Sequence, residues 1–238
     1  MRNLLSFRTS HYYFRTTLNS RLAALIKLLR PEQWVKNAFL IAPLIFSKHL
    51  FGADYLLTTL LALVAFCLVS SSVYVVNDIA DRNIDQHHPT KKNRPIASGR
   101  VSVPQAIAVV ILLLVIVAVQ SWNLNGNFCL AAASYFMLNL AYSFGLKRVI
   151  LVDVFVIAAG FMLRVLAGAF AIAVLISPWL VLCTLFVSVF LAISKRRGEL
   201  LLTNRSDGYT GREVLHEYDL GLMAVSYTHL TLPTTERV

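Results

Sequence analysis

The chain contains 238 residues, of which 57% are hydrophobic and 14% are charged. A soluble domain carries roughly 25% charged residues, so a soluble enzyme and a disordered chain are both excluded by this composition. The net charge of +10 would suggest nucleic-acid binding in a soluble protein, but in a membrane protein it is typical of basic cytoplasmic loops, and we expect no nucleic-acid partner.

The first 36 residues form a polar and basic arm, with no acidic residue before Glu32. Within it, Leu22, Leu25, Ile26 and Leu29 recur at helical spacing. This spacing predicts a short amphipathic helix that lies on the membrane surface.

Six apolar segments follow the arm, each close to the roughly 20 residues that a membrane-crossing helix needs. Because lipid offers no hydrogen-bond partners to the backbone, each segment is predicted to be helical. The sequence therefore predicts an all-α, polytopic membrane bundle. The segments cover about residues 38–51, 56–76, 103–122, 128–144, 149–176 and 178–193.

The same pattern predicts how the chain is organised. We expect a cytoplasmic arm over residues 1–36 and a transmembrane domain over residues 37–205. Residues 206–225 are expected to form a cytoplasmic loop and the start of another helix. The Thr-rich stretch over residues 226–238 resembles neither a span nor a helix cap, so we interpret it as a non-native tail on a truncated chain.

The basic residues predict the orientation of the bundle. With the N-terminus in the cytosol, all but two of the 22 Lys and Arg residues fall on the cytoplasmic side, the exceptions being Lys48 and Arg164. Such an asymmetry is the positive-inside signal. It predicts a multi-pass membrane protein, with its N-terminus and its polar clusters on the cytoplasmic face.

Acidic residues cluster where the second span meets the cytosol. At about 100° per residue on a helix, Tyr74, Asn77, Asp78, Asp81 and Asp85 fall on one stripe about 100° wide. Three neighbouring carboxylates repel one another, and a divalent cation removes that repulsion. Carboxylate and amide oxygens suit Mg²⁺, which shares its coordination with substrate phosphates. The pattern predicts a metal–phosphate site, against the alternative of a solvated acidic helix end.

Basic side chains lie at the same membrane level and predict phosphate contacts. A further cation, Arg164, lies midway along the fifth span, where an isolated charge costs at least about 2.5 kcal/mol. Because Gly160 and Gly168 flank it, we expect Arg164 to face a polar chamber or an anion, or else to pair with an acid of span two. The other candidates are Lys36, Lys91, Arg94, Lys147, Lys195 and Arg196.

Together these motifs resemble the UbiA superfamily of intramembrane prenyltransferases, and most closely its branch of decaprenyl-phosphate phosphoribosyltransferases. The superfamily pattern appears as Asn77-Asp78-x-x-Asp81-x-x-x-Asp85, Arg94-Pro-Ile-Ala-Ser-Gly99 and Tyr142-Ser143 with Lys147. The branch is indicated by Arg30-Pro-x-Gln-Trp-Val-Lys-Asn37, His88-Pro-x-Lys91, Gly160-Phe-x-Leu-Arg164-x-x-Ala-Gly168 and Lys195-Arg-x-x-Glu199-Leu. The resemblance implies nine helices around a chamber, of which six are visible here. Ordinary prenyltransferases carry a second aspartate motif after span six, and Ser194–Leu200 lacks it, which favours the phosphoribosyl branch.

The resemblance implies transfer of a phosphoribosyl group from 5-phosphoribosyl 1-diphosphate to a polyprenyl phosphate, with Mg²⁺ as cofactor, in cell-wall precursor synthesis. It also implies that residues 37–205 form the catalytic domain and that the protein lies in the bacterial cytoplasmic membrane. It implies catalytic roles for Asp81, Asp78 and Asp85, and metal binding by Asn77, Asp81 and Asp78. The donor phosphates would be held by Lys36, Tyr74, Lys91, Arg94 and Lys147, and the lipid phosphate by Arg164, Lys195, Arg196 and Glu199.

Two other functions compete with this interpretation. A prenyltransferase that moves an isoprenyl chain from its diphosphate to an aromatic acceptor would use the same kind of leaving group. A non-catalytic lipid-phosphate carrier would need no metal site, and the acidic stripe argues against it.

Overall fold

The computed structural model describes residues 22–122, 124–146 and 152–203, with side chains up to residue 195. Every regular element in these ranges is helical. The α-helices are α1 (residues 22–29), α2 (Ala42–Phe46), α3 (Ala53–Ala80), α4 (Arg82–His87), α5 (Val103–Trp122), α6 (Gly126–Phe144), α7 (Val152–Ala171) and α8 (Pro178–Thr203), and 3₁₀ turns cover Pro31–Ile41 and Lys91–Asn93.

Four of these helices are long and apolar enough to cross a membrane: α3, α5, α7 and α8 over Pro178–Lys195. In α5, only 22% of the apolar window is buried within the protein, so most of its apolar side chains face outward, as lipid contact requires. Exposed tryptophans stand at two helix ends, Trp122 in α5 and Trp179 in α8. Aromatic rings at such ends are typical of the membrane interface. The predicted all-α membrane class is therefore confirmed.

The first predicted span differs from the observed chain path. In place of one helix over residues 38–51, the structure has the 3₁₀ stretch Pro31–Ile41 followed by the five-residue helix α2. Pro31 and Pro43 cannot donate backbone hydrogen bonds, which interrupts regular helix formation here. Left-handed backbone at Arg30 (φ 51°) and Lys48 (φ 63°) bounds the whole segment.

The fifth predicted span is shorter than expected at its C-terminal end. Helix α7 ends at Ala171, whereas the apolar pattern continues to residue 176. Val174 N–H donates to the carbonyl of Ala169, and Ala173 N–H donates to Phe170. This Schellman closure places Ala173 in the left-handed region at φ 53°, a position that glycine usually fills. A hydrophobicity pattern carries no signal for such a stop.

The chain divides into two compact units. Among the described residues, unit 1 comprises residues 22–37 and 64–120, and unit 2 comprises residues 38–63 and the described residues from 121 onward. The core of unit 1 joins α1 to α3, to the loop after α4 and to α5. Its buried members are Ala24, Leu28, Val75, Ile96, Val101, Ala106 and Val110.

A helix, α1, is present where the amphipathic helix was predicted, and its position on the membrane surface stays a prediction. Ala24 and Leu28 are buried in the core of unit 1, whereas Leu22, Leu25 and Ile26 are exposed. Helix α1 therefore has apolar residues on both an inner and an outer face.

In unit 2, helix α7 packs against α2, α6 and α8. Phe39 meets Phe161 edge to face, with ring centroids 4.9 Å apart. The close approach to the 3₁₀ stretch depends on Gly168, because a Cβ at that position would lie 2.9 Å from the carbonyl carbon of Leu40. The predicted boundary of the catalytic domain stays a prediction, and the proposed loop and tail over residues 206–238 lie outside the described residues.

Candidate active site

The acidic stripe lies where α3 ends and α4 begins, within unit 1. The backbone continues in helical register across the junction, since Asp81 N–H donates to Asn77 and Asp85 N–H donates to Asp81, each at 2.9 Å. Asp78 and Asp85 are buried, and Asn77 and Asp81 are half-buried. The four side chains therefore share one end of the unit, as the helical spacing predicted.

Arg94 joins the two buried carboxylates. Its Nη1 lies 2.5 Å from Asp85 Oδ2 and 3.2 Å from Asp78 Oδ1. Arg94 begins a tight turn in which Ser98 N–H donates to the Arg94 carbonyl at 2.9 Å. Buried Ile96 anchors that turn in the core of unit 1. The predicted phosphate-binding residue Arg94 therefore forms ion pairs with two carboxylates of the acidic stripe.

Arg30 is a member of this cluster that the sequence prediction missed. Its Nη2 donates to Asp78 Oδ1 at 2.6 Å, and its Cζ lies 5.4 Å from the centre of the Tyr74 ring. The sequence carried one signal for it, namely a basic residue in the Arg30–Asn37 motif at the membrane level of Asp78.

Asn77 and Asp81 form a second pair within the stripe, in which Asn77 Nδ2 donates to Asp81 Oδ2 at 3.2 Å. The described residues contain no group of three His, Cys, Asp or Glu side chains placed to share one metal ion. Asp78 and Asp85 instead form ion pairs with Arg30 and Arg94. The predicted metal-ligand set stays a prediction.

The residues present nonetheless fit a magnesium ion. Mg²⁺ in phosphate-transferring sites needs one or two carboxylates and completes its coordination with water and substrate phosphate. Asn77 and Asp81 lie side by side, and Asp78 Oδ2 is buried with no hydrogen-bond partner among the described residues. A cation is one partner that such a buried carboxylate oxygen would accept.

The loop between α4 and the second 3₁₀ turn is organised by His88. Its Nδ1 accepts hydrogen bonds from the backbone N–H groups of Thr90 and Lys91, at 3.2 and 3.3 Å. Desolvation, followed by the nearby charge of Lys91, lowers the pKa of His88 below its ordinary value. A neutral imidazole is required for these contacts, since a protonated Nδ1 cannot accept a hydrogen bond.

The remaining candidates of unit 1 are Lys36, Tyr74 and Lys91. Lys36 and Lys91 are half-buried, and the ring of Tyr74 packs against the guanidinium of Arg30. Lys36 belongs to the segment between residues 29 and 37, which is hydrogen-bonded along α3. Asn37 Nδ2 donates to Ser70 Oγ at 3.1 Å within that segment.

Arg164 lies in unit 2, where it is 4% exposed in the middle of α7. Its Nη1 donates to the carbonyl of Gly160 at 2.7 Å, and its Nη2 donates to the hydroxyl of Tyr135 at 2.8 Å. The guanidinium also lies over the rings of Tyr135 and Phe161, with Cζ 4.7 and 5.3 Å from their centres. Tyr135 is a partner that the sequence prediction did not identify, and the polar chamber or anion expected at Arg164 stays a prediction.

The other predicted residues are only partly described. Lys195 is exposed near the end of α8. Lys147 lies outside the described residues, as do the side chains of Arg196 and Glu199.

Comparison with known proteins agrees with the helical architecture. The model of the UbiA prenyltransferase family matches residues 39–196. The decaprenyl-phosphate phosphoribosyltransferase of Mycolicibacterium smegmatis is 38% identical over 210 residues, which cover 87% of this chain and 66% of that relative. The protein of the same name from Corynebacterium glutamicum is 37% identical over 198 residues, covering 82% of this chain and 59% of the relative. This chain therefore spans 66% or less of the length of these two relatives.

A solved structure shares the fold. A UbiA homologue from Archaeoglobus fulgidus, bound to DMAPP and Mg²⁺, gives a TM-score of 0.68 at 19% identity, covering 88% of this chain and 74% of that chain. The resemblance that the sequence motifs indicated is confirmed by the family match and by the close relatives. This chain belongs to the UbiA prenyltransferase family.

Proposed function

We propose that this chain is an integral membrane transferase that moves the 5-phosphoribosyl group from 5-phosphoribosyl 1-diphosphate to a polyprenyl phosphate and releases diphosphate. The observation that carries this proposal is the 38% identity to a decaprenyl-phosphate phosphoribosyltransferase over 87% of the chain. The carboxylate–arginine cluster at the inner end of α3 supports it, because the donor would bring a diphosphate group to that cluster. We place the reaction in cell-wall precursor synthesis at the bacterial cytoplasmic membrane.

The proposed reaction requires little acid–base chemistry from the protein. An oxygen of the lipid phosphate attacks C1 of the ribose, and the bond between C1 and the diphosphate oxygen breaks. The attacking phosphate is already anionic at neutral pH, so no strong general base is required. Negative charge builds up on the departing diphosphate, and prearranged positive groups that hold this charge lower the barrier.

Asn77 and Asp81 would hold a magnesium ion, with Asp78 or Asp85 in support. When bound, the ion would neutralise charge on the departing diphosphate. The contact between Asn77 and Asp81 and the buried Oδ2 of Asp78 support this assignment. Around it, the donor phosphates would be held by Arg94, Lys91, Lys36, Tyr74 and Lys147.

Arg164 is proposed to bind the lipid phosphate. Its guanidinium is held in plane by Tyr135 and by the carbonyl of Gly160, and a fixed planar fork suits two-pronged recognition of phosphate. Burial strengthens such contacts, because the local dielectric is low. Lys195 and Arg196 are the further candidates for this role, with Glu199 orienting them.

The first test is a transfer assay in membranes that contain the full chain. Labelled 5-phosphoribosyl 1-diphosphate and decaprenyl phosphate are expected to give a labelled lipid only when Mg²⁺ is present. Asp81→Asn should reduce the rate by about a hundredfold or more, because it removes charge from the proposed metal ligands. Asp54→Asn is the matched control, since Asp54 is exposed in the first turn of α3 and should leave the rate unchanged.

A parallel reaction separates the alternative function. The same membranes receive an isoprenyl diphosphate with 4-hydroxybenzoate as an aromatic acceptor. Prenylated product without labelled phosphoribosyl lipid would replace the proposed function with that of an ordinary prenyltransferase. Transfer that proceeds equally well in EDTA, or in Asp81→Asn, would contradict the metal assignment.

A further inference from the structure

Two arginines converge on one buried carboxylate oxygen in unit 1. Arg30 Nη2 lies 2.6 Å and Arg94 Nη1 lies 3.2 Å from Asp78 Oδ1. The Asp78 side chain is 2% exposed, against 16% for Arg30 and 23% for Arg94. An anion that approaches this cluster from outside therefore reaches the guanidinium groups before it reaches the carboxylate.

The position of Arg30 is fixed by contacts on both sides of it. Ser71 Oγ donates to the carbonyl of Leu29 at 2.8 Å and accepts from Trp34 Nε1 at 2.9 Å. Arg30 itself has left-handed backbone, with φ at 51°. A residue other than glycine keeps that conformation only where its surroundings impose it, and such strain concentrates at functional sites.

The same helix face holds the side chain of Arg30. Ser71, Tyr74 and Asp78 lie at positions i, i+3 and i+7 of α3, which places them along one side of the helix. The Tyr74 ring packs against the guanidinium, and Asp78 accepts one of its N–H groups. A guanidinium carries five N–H donors, so this arrangement orients the group and uses only part of its hydrogen-bonding capacity.

We infer that Arg30 is a further diphosphate-binding residue of the donor site, held beside Arg94 by Asp78. This inference rests on the proposed function in placing the donor at the cluster. Two guanidinium groups side by side match the several oxygens of a diphosphate, which an arginine can bind through two parallel hydrogen bonds. Asp78 and Tyr74 act as positioning residues for Arg30.

The test measures binding of inorganic diphosphate to the purified full chain in detergent with Mg²⁺, by equilibrium dialysis with ³²P. Arg30→Gln is expected to weaken binding by about 10- to 100-fold, the loss typical of a hydrogen bond to a charged group. Arg30→Lys keeps the charge but loses the two-pronged geometry, so it should fall between wild type and Arg30→Gln. Arg82→Gln, at an exposed arginine of α4, is the matched control and should bind as wild type does.

Steady-state kinetics separates binding from a structural role. The KM for 5-phosphoribosyl 1-diphosphate should rise in Arg30→Gln while the KM for decaprenyl phosphate stays constant. If Arg30 only neutralised Asp78, the melting temperature would fall, yet diphosphate affinity per folded molecule would equal that of wild type, and the inference would be overturned. Should Arg30→Gln fail to fold, Arg30→Lys decides, because wild-type affinity in that variant also overturns it.

The outcomes distinguish this inference from the proposed function. Diphosphate binding that depends on Arg30, in a protein that transfers no phosphoribosyl group, would refute the function and support the role of Arg30 in anion binding. Phosphoribosyl transfer with wild-type donor KM in Arg30→Gln would support the function and refute the inference.

Discussion

Asp78 illustrates how burial dictates the partners of a single charged side chain. A carboxylate that is 2% exposed loses most of its hydration, and it persists in a folded protein only where positive groups or hydrogen bonds replace the water. Arg30 and Arg94 supply these to Oδ1. Buried ion pairs add little net stability, but removal of one partner leaves an uncompensated charge at a large cost. The three side chains are therefore expected to behave as one unit.

His88 leads to a prediction about pH. Its pKa in the folded protein is lowered, so the unfolded chain binds more protons between that value and about 6.5, and stability rises with pH across this window. As pH falls through about 6.5, the contribution of His88 is lost and levels off below the folded pKa. The melting temperature of the purified protein between pH 8 and pH 5 measures the effect.

A variant isolates this histidine from the other titrating groups. His88→Asn keeps a short side-chain acceptor for the N–H groups of Thr90 and Lys91 and does not titrate, so its melting temperature should fall less than that of wild type on acidification. His87→Gln, at the exposed neighbour, serves as the control and should follow wild type. Identical pH profiles for wild type and His88→Asn would count against the assignment.

At the scale of an element, the two glycines of α7 differ in how closely the helix packs around them. Alanine at each position would show whether that packing requires glycine. A Cβ at Gly168 would overlap the backbone of Leu40, whereas a Cβ at Gly160 would lie 3.5 Å from Arg164 Nη1 and 3.7 Å from Tyr135 Cε2. Gly168→Ala should therefore destabilise the protein by about 1–3 kcal/mol through overpacking. Gly160→Ala should be neutral or slightly stabilising, because alanine favours helix over glycine by about 1 kcal/mol.

Thermal unfolding in detergent measures both variants under the same conditions. The pair is informative because helix propensity alone predicts that both alanines raise stability equally. A Gly168→Ala protein as stable as Gly160→Ala would mean that α7 does not need a glycine for its contact with Leu40.

Elements were predictable from sequence where one physical signal dominated. Helix α5 coincides with the predicted segment 103–122, because a long apolar run in lipid has no alternative to a helix. The segment around Pro31 and Pro43 was not predictable in detail, since missing N–H donors disfavour a regular helix without specifying the 3₁₀ path that replaces it. The early end of α7 at Ala171 escaped prediction because alanine is not a residue expected in the left-handed backbone that follows at Ala173.

At the scale of the whole molecule, the site was predictable to the extent that it is local in sequence. Asp78, Asp85 and Arg94 lie within 16 residues of each other. Helical spacing and the basic residues that follow α4 in the sequence were therefore enough to predict that they share one site. Arg30 is separated from Asp78 by 48 positions, and Tyr135 from Arg164 by 29. Contacts of that range depend on how helices pack, which a single sequence does not encode in any local pattern.

The distribution of charge over the whole chain yields a prediction of membrane orientation. Nearly all Lys and Arg residues fall in segments that we assign to the cytosol, so Gln86 in α4 should face the cytosol and Asn127 at the start of α6 should face the periplasm. Both are exposed.

In a background with Cys67, Cys129 and Cys183 replaced by alanine, Asn127→Cys should react with a membrane-impermeant maleimide in intact spheroplasts. Gln86→Cys should react only after the membrane is permeabilised, and the cysteine-free background controls for other labelling. Labelling of Gln86→Cys in intact spheroplasts would reverse the orientation and place the carboxylate–arginine cluster on the outer face, away from a cytosolic phosphoribosyl donor.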